Sequence, residues 1–478
     1  MIVDFKSVKF NEYEFIIAGS GPASLSFILG LKKKTNKKIL IIEAGSFEYD
    51  NFSQEQYKGT ILNNCNLKEL DNSRIRAFGG TTMVWGGMCR PLDKHDFNEW
   101  PIKKNDLDPY LDQAYKFLHV QKPIRRDLKI NDNINQIDFQ WSEPTLRINE
   151  VYKEFIIKDK QIDILIETAV IKLEGKNEIE SVHLYNYKSK TNLKMKPKIF
   201  ILGCGAVENS RIMLLSQYFS NYKFLDKLDI GKYYLLHPHY VVAKSLIYMQ
   251  DIKQIFNLEY LNKDMIFLSP TKKFIDKTKI GNIGLRVQIN HYSSETKEFI
   301  KDILCVAPNL ADKLVSLLDK KIDCANLKFF SSWEAKPNKK NKISLDFENL
   351  DMNNIPRVKV YANLYDDDKK SIRIFLESFG EYLIEENLGR LAINEFYFEN
   401  DFNWPEGGYG GSHEMGGTKM GSDQNNSVVD DNLKVHGVKN FYVLGSSVFP
   451  TSGHANPTLT ICQLSYRLAD YLTQKNSI

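Results

Sequence analysis

Very little in this chain ties it to a special environment. Six of its 478 residues are cysteine, at positions 65, 89, 204, 305, 324 and 462, and none forms a CxxC pair. That spacing excludes a dithiol motif and a cysteine zinc site, and neither a disulfide framework nor a metal site is expected. No apolar run approaches the ~20 residues that a bilayer-spanning helix needs, so no membrane span is expected. Charge of one sign is missing too. The 64 Lys+Arg against 60 Asp+Glu leave +4, too weak a balance to single out nucleic acid as a partner. The lysines at 32–34 and 37–38 read as solvated helix face and loop. Residues 1–13 mix Asp, Lys and Glu among the apolar ones, unlike an export signal, and Arg125–Arg126 is an internal twin arginine. A reducing, cytoplasmic setting is the expectation.

What is present is ordinary globular material: 42% hydrophobic and 26% charged residues. The length suits two or three domains with a sizeable core. The first informative segment is Tyr13–Gly45. Phe15–Ala18 reads as a short apolar strand, and Gly19-Ser20-Gly21-Pro22-Ala23-Ser24 follows at once. A helix is expected over 25–34 and a second strand over 39–42. Glu43 closes that strand, 24 residues after Gly19. The whole is a βαβ dinucleotide unit. Gly19 permits the turn, and Gly21 lets backbone approach a pyrophosphate that sits on the helix N-terminus. Glu43 is placed to accept from a ribose diol. Ser24 is the third small position, where helix and strand pack closely. A tight glycine turn in an unrelated α/β protein is the alternative.

Two further segments repeat the design. In KIFILGCGAVENSRIMLLS (Lys198–Ser216) an apolar strand runs into Gly203 and Gly205 and then a helix; in NFYVLGSSVFPT (Asn440–Thr451) a strand ends at Gly445. Ligands of open α/β sheets bind at such carboxyl ends of strands. One cofactor touched from three distant segments implies a discontinuous domain.

With these segments in view the chain resembles the glucose–methanol–choline (GMC) flavoprotein oxidoreductases. GSGPAS with Glu43 resembles the family's FAD fingerprint. SRIRAFGGTTMVWGGMCRPLDKHDFNEWPI (Ser73–Ile102) resembles its flavin-adjacent loop, and DLDPYLDQAY the helix after it. GCGAVENSRIMLLS resembles the second FAD-domain signature. HEMGGTKMG…VVDDNLKVHGVKNFYVLGSSVFPTSGHANPTLT resembles the active-site segment. Residues 240–400 carry no recognised family motif.

The resemblance implies an α/β fold: a Rossmann-like FAD-binding domain with a second, substrate domain built on an antiparallel sheet backed by helices. The expected division gives 1–120, 160–240 and 405–478 to the FAD domain, and 121–159 and 241–404 to the substrate domain. Alternating stretches at 283–289 and 358–362 suit antiparallel strands, and 369–383 an amphipathic helix.

Cofactor contacts are implied at Gly19, Gly21, Ser24, Glu43, Gly79, Gly80, Thr81, Thr82, Val84, Trp85, Gly86, Val170, Gly203, Ala206, Gly445, Ser446, Pro457 and Thr458. Thr81 and Thr82 are expected to donate hydrogen bonds near flavin N5 or the phosphates. Some relatives attach FAD through a histidine just before the loop tryptophan. Here that position is Val84, which has no nucleophile, so non-covalent FAD is expected. Val170 corresponds to the residue meeting the adenine. Helix packing explains Glu208, Asn209 and Arg211 as well as cofactor contact does. His237 and His95 read as structural.

Alcohol oxidation needs a base for the hydroxyl proton as hydride leaves carbon. His413, in a glycine-dense loop, takes the catalytic position by resemblance, and its imidazole titrates near neutrality. Asn456 is the second candidate, to hold the substrate oxygen; preceding Pro457, it also suits a helix N-cap. The helix after it would aim its positive end at the flavin. His454, two residues before, is a weaker candidate for substrate contact and otherwise reads as a pocket-lining or structural residue. The expectation is therefore FAD-dependent oxidation of a CH–OH group, with a small-molecule alcohol, and a sugar or glycoside first. Oxygen, a quinone or a redox protein is left as electron acceptor. A non-redox lyase on the same scaffold, an NAD-dependent dehydrogenase and a non-catalytic flavin-binding module are the alternatives.

Overall fold

Four-residue apolar runs recur at distant points of the chain, too short for helices and without polar alternation. Such runs suit strands covered on both faces. In the computed structural model they pair. It describes residues 1–121, 123–220, 222, 224–261, 263, 265–291, 324–399, 404 and 412–475. Five parallel strands lie in the order Phe441–Val443, Ile199–Leu202, Phe15–Ala18, Ile39–Ile42 and Ile162–Leu165. The chain thus leaves this sheet and returns to it three times, and every carboxyl end points one way. Helix Pro22–Lys32 crosses the sheet and packs on helix Thr458–Lys475 so closely that a Cβ on Gly30 would lie 2.8 Å from the Ala469 Cβ. An antiparallel meander, Thr168–Gly175, Ile179–Asn186 and Thr191–Met195, adds Val170, Leu173, Val182 and Leu184 to the same core.

The second large sheet has seven antiparallel strands, ordered Arg390–Ile393, His239–Tyr248, Cys324–Trp333, Ile283–His291, Met265–Pro270, Ile134–Ile137 and Leu128–Lys129. Here the two-residue period is plain. Leu327, Phe329, Ser331 and Trp333 are buried, while Lys328, Phe330 and Ser332 are half-buried on the other face. Helix Asp366–Glu385 covers the buried face, packing Phe375, Leu376, Phe379 and Leu383 into one cluster with Leu285, Val287, Leu327 and Phe329. Asp366, Asp367 and Asp368 fill its first turn, where the helix dipole favours acid, and the Asp368 carboxylate accepts from the Tyr365 N–H at 2.7 Å.

Particular segments depart from the expected division. The strand expected at 358–362 exists as Pro356–Ala362, but outside the seven-stranded sheet. It pairs antiparallel with Lys342–Leu350 and parallel with Gly59–Asn63 from the first block. Ile148 and Ile156, grouped by expectation with the substrate domain, pack into the parallel-sheet core. Among the described residues no helix is long and apolar enough to cross a membrane.

Candidate active site

The strand-end glycines line one groove. Gly19 has φ +93°, and a Cβ there would lie 2.5 Å from the Gly203 oxygen, so two neighbouring strand ends touch backbone to backbone. Ser24 lies beneath Gly203, its Oγ 2.5 Å from where a Cβ on Gly203 would sit, which is why position 24 stays small. By contrast, a Cβ on Gly21, Gly86, Gly205 or Gly445 would meet nothing within 4 Å. Those four positions face open space. Two helices start there, Pro22–Lys32 after Gly21 and Ala206–Phe219 after Gly205, and neither has a side-chain cap. Uncapped helix starts direct free N–H groups and positive dipole ends at a common site, which suits an anion.

Arg76 supplies a cation beside them. It is buried, its Nη2 donates to the Tyr187 hydroxyl at 2.9 Å, and its Nε and Nη1 have no hydrogen-bond partner. Its carbonyl lies 2.2 Å from where a Cβ on Gly45 would sit, so it stands at the Glu43 strand end. Glu43 itself accepts from the Ser20 hydroxyl and, at 2.7 Å, from the Gly45 N–H. Thr168 donates to the Glu43 carbonyl at 3.0 Å and opens the strand that carries Val170. An acid on the second strand, two free helix starts and a buried guanidinium with open N–H groups fit the ribose and diphosphate of FAD.

The Gly79–Gly87 loop rests on this first turn. The Gly79 N–H donates to Ser20 Oγ at 3.1 Å, and a Cβ on Gly80 would lie 3.6 Å from the Gly21 Cα. Arg147 staples the loop by donating from Nη1 to the Thr82 and Trp85 carbonyls at 2.8 and 2.9 Å, and the Trp85 indole donates to the Leu146 carbonyl at 2.8 Å. Val84 projects outward, 63% exposed. Thr82 is buried and its hydroxyl donates to the Gly79 carbonyl at 2.7 Å, so this hydroxyl closes the turn. The Thr81 oxygen accepts from the Ile75 N–H at 3.3 Å, which leaves its own O–H to donate.

His413 is half-buried and anchored through the residue after it. The Glu414 carboxylate accepts from Ser73 Oγ at 2.8 Å and lies 3.6 Å from Arg74, and the Glu414 carbonyl accepts from Ser446 Oγ at 2.6 Å. Ser446 thus holds the histidine loop to the third strand end. The His413 Nδ1 lies 3.2 Å from the Nδ1 of His237, and the His237 Nε2 lies 2.6 Å from the Gly453 carbonyl. A carbonyl only accepts, so His237 carries its proton on Nε2. Burial pushes His237 down to about 4, so it is neutral and its Nδ1 is a lone pair. His413 therefore carries its own proton on Nδ1, and its Nε2 is the free base. Burial, with His237 and His239 as neighbours, holds His413 well below the usual imidazole range. The His239 ring centroid is 5.6 Å from that of His413, and burial takes His239 down to about 3, assisted by His237, Arg286 and Lys68.

The carbonyl that ends this chain of bonds belongs to the turn that carries Asn456. That side chain is half-buried and donates one Nδ2 hydrogen to the Met88 carbonyl at 3.2 Å. Pro457 is buried behind it, and helix Thr458–Lys475 begins at once. His454 takes the structural place the sequence reading favoured: it is 1% exposed, its Nε2 lies 3.0 Å from Asp93 Oδ2, and its ring stands edge-on to Phe139. Burial pushes Asp93 up, but the Arg90 guanidinium and His454 outweigh it and hold the carboxyl well below its ordinary range.

Ala206 is buried at the helix start. Asn209 resolves to a packing role: its Nδ2 donates to the Leu444 carbonyl at 2.8 Å and Ser447 Oγ at 2.9 Å, and its Oδ1 accepts from the Cys204 N–H. It thereby binds the second strand end to the third. Arg211 pairs with Asp351 at 2.8 Å. Sequence reasoning missed Arg76 and His239 and took His237 as structural. The signals were a buried-type arginine three residues before the Gly79–Gly80 turn and the His-Pro-His at 237–239.

Residues 337–465 match the family described as GMC oxidoreductase. The chain is 20% identical over 312 residues to the fructose dehydrogenase large subunit of Gluconobacter japonicus, covering 64% of this chain and 53% of that one. It is 29% identical over 152 residues to the 2-methyl-1,2-propanediol dehydrogenase of Mycolicibacterium austroafricanum, covering 32% and 26%. The chain thus spans about half or less of the length of these curated relatives. Among solved structures, pyridoxine 4-oxidase from Mesorbium loti superposes with a TM-score of 0.58 at 13% identity, covering 97% of this chain and 99% of that one.

Proposed function

We propose that this chain, which carries a GMC oxidoreductase domain at 337–465 on the fold of those enzymes, is an FAD-dependent oxidoreductase of CH–OH donors. The observation that carries the reading is the bond sequence Gly453 carbonyl, His237, His413, which leaves His413 Nε2 as a neutral base. When bound, FAD supplies the two-electron acceptor for the hydride of the carbinol carbon. The hydroxyl proton goes to His413 Nε2, the C–O bond becomes a carbonyl, and the new imidazolium keeps its Nδ1–H on His237. The second Nδ2 hydrogen of Asn456 is available to hold the substrate oxygen as its charge develops.

Arg76 and the helix starts at Gly21 and Gly205 hold the diphosphate, and Glu43 the ribose. Attachment is non-covalent, since Val84 offers no nucleophile. A sugar or glycoside heads the substrate candidates, supported by the likeness to a fructose dehydrogenase subunit, and the enzyme works in the cytoplasm. The test is the anaerobic visible spectrum of the purified protein with a panel of sugars and alcohols. Bleaching of the flavin bands by one class supports the reading. A yellow protein that no CH–OH donor bleaches would overturn it.

A further inference from the structure

The turn before Asn456 decides where His237 carries its proton. The Gly453 carbonyl lies 2.6 Å from His237 Nε2, with the Ser452 carbonyl farther off at 3.3 Å. The position of that turn therefore has chemical consequences. Gly453 has φ +55°, and a Cβ there would lie 2.7 Å from Leu92 Cδ2 and 2.8 Å from Asp96 Oδ2. The residue has no side chain to lock it and no room for one. It is fastened through its other backbone group, since the Gly453 N–H donates to Glu334 Oε1 at 3.4 Å.

Glu334 comes from the other large sheet, in the stretch that carries no recognised motif. Strands Ile283–His291 and Cys324–Trp333 pair Ile283 with Trp333, and Asn282 and Glu334 lie one step beyond that pair. The Glu334 N–H donates to the Asn282 carbonyl at 2.9 Å, and the Asn282 N–H donates to Glu334 Oε2 at 3.2 Å. Asn282 is 1% exposed, and its Nδ2 donates to Asp96 Oδ1 at 2.8 Å and to Asp93 Oδ2 at 3.1 Å. Asp93 in turn meets His454, and the Asp96 carbonyl accepts from Thr451 Oγ1 at 2.9 Å. Residues 451, 453 and 454 are thus each bonded into one network with Asn282 at its centre. Three carboxyl groups around one amide are a costly arrangement. Burial raises Glu334, and burial with Asp93 and Glu334 beside it takes Asp96 up to about 7. Apolar side chains would fill the same space without that penalty, so packing alone does not explain them.

We propose that Glu334 is a positioning residue for the reaction: held by Asn282, it grips the Gly453 N–H so that the Gly453 carbonyl keeps the His237 proton on Nε2 and leaves His413 Nε2 free. The inference rests on the base assignment above and extends it to the seven-stranded sheet. Two strand ends of that sheet then govern which nitrogen of His413 is basic, acting through one glycine and one histidine. What Glu334 supplies is an acceptor of the right reach, so an uncharged acceptor of equal length serves as well.

The FAD-loaded protein is compared with Glu334→Ala, which removes the acceptor, Glu334→Asp, which draws it back by one methylene, and Glu334→Gln, which keeps it. Histidine ¹⁵N shifts read the tautomers without turnover. Part of the His413 proton is expected on Nε2 in Glu334→Ala and Glu334→Asp, and all of it on Nδ1 in Glu334→Gln. Anaerobic flavin reduction is expected to lose about fivefold in limiting rate in the first two, the factor that one hydrogen bond is worth, with half-saturation little changed and FAD retained. Glu334→Gln is expected to restore the rate. In the unmodified protein the Gly453 amide hydrogen is expected to exchange slowly. Unaltered tautomers and rate in Glu334→Ala overturn the proposal. So does a rate loss with the His413 proton still on Nδ1, or a Glu334→Gln no better than Glu334→Ala. Fast exchange at Gly453 in the unmodified protein overturns it even if no variant folds. A tautomer shift in Glu334→Ala, in a protein whose flavin no CH–OH donor bleaches, would support the positioning role while refuting the redox reading.

Discussion

Replacing His237 with Leu isolates the link between His413, the proposed base, and the fold. Leu fills similar space but removes the lone pair that receives the His413 Nδ1–H at 3.2 Å. A buried donor left unpaired costs about 1–3 kcal/mol, and the net worth of such a bond is about 1 kcal/mol. His413 escapes by moving its proton to Nε2, the nitrogen that must act as base. A bias of about 1 to 2 kcal/mol toward the wrong tautomer lowers the reactive fraction by roughly 5- to 30-fold. Flavin reduction in His237→Leu should fall by that factor, with FAD still bound, while His237→Asn, whose Oδ1 can accept from His413, should recover most of it. Histidine ¹⁵N shifts in the loaded protein should show the His413 proton on Nδ1 in the unmodified chain and on Nε2 in His237→Leu. The pH profile gives an independent reading. His237 sits at about 4 when folded, against an ordinary 6.5. Its neutral form is the folded one, so stability is complete above pH 6.5 and declines as pH falls from there to about 4. The gap of about 2.5 pH units corresponds to about 3 kcal/mol. His237→Leu should take away its own share of that slope, leaving the shares of His239 and His413, which burial also holds below the usual imidazole range. A proton found on His413 Nε2 in the unmodified protein, or an unchanged reduction rate in His237→Leu, would refute the reasoning.

His413→Ala should keep its FAD and lose flavin reduction by at least ~10²-fold, the usual scale for removing a general base; retained reduction in stopped-flow would remove His413 from the mechanism. Arg76→Gln should weaken FAD retention at least ~10-fold, since a charge-assisted contact to phosphate is worth about 1.5–3 kcal/mol, and apoprotein reconstitution followed by flavin fluorescence measures it. Equal affinity would mean that the open N–H groups of Arg76 face something else. Acid precipitation should release all flavin to the supernatant, whereas a yellow pellet would contradict the non-covalent attachment expected from Val84.

The local pieces were readable from residues alone. Apolar runs of four followed by glycine marked the strands at 15–18 and 199–202, and a run of four closed by Glu43 marked the strand at 39–42, because strand and turn geometry depend on near neighbours. The need for Gly at 19, where φ is +93°, and for a small residue at 24 was visible for the same reason. Thr82 shows the limit. Its hydroxyl looked available from its type and position, but whether it faces the groove or its own turn depends on how the Gly79–Gly87 loop seats against Arg147 and Ile148. His454 shows the same limit: which of its readings holds depends on the enclosure by Asp93, Phe139 and Gly284, which proximity in sequence to Asn456 does not reveal.

Periodicity and turn chemistry, which act over a few residues, were enough to read the βαβ unit and the helix and alternating strands of the middle region, while the histidine and asparagine of the C-terminal segment were singled out only by resemblance to a known family. Tertiary structure alone decided which nitrogen of His413 is basic, because His237 lies 176 positions away and its own proton is fixed by a third segment at Gly453. It likewise decided that the Arg76 Nε and Nη1 have no hydrogen-bond partner within the protein. Those properties arise from which faces meet across sheets, and no local rule encodes them.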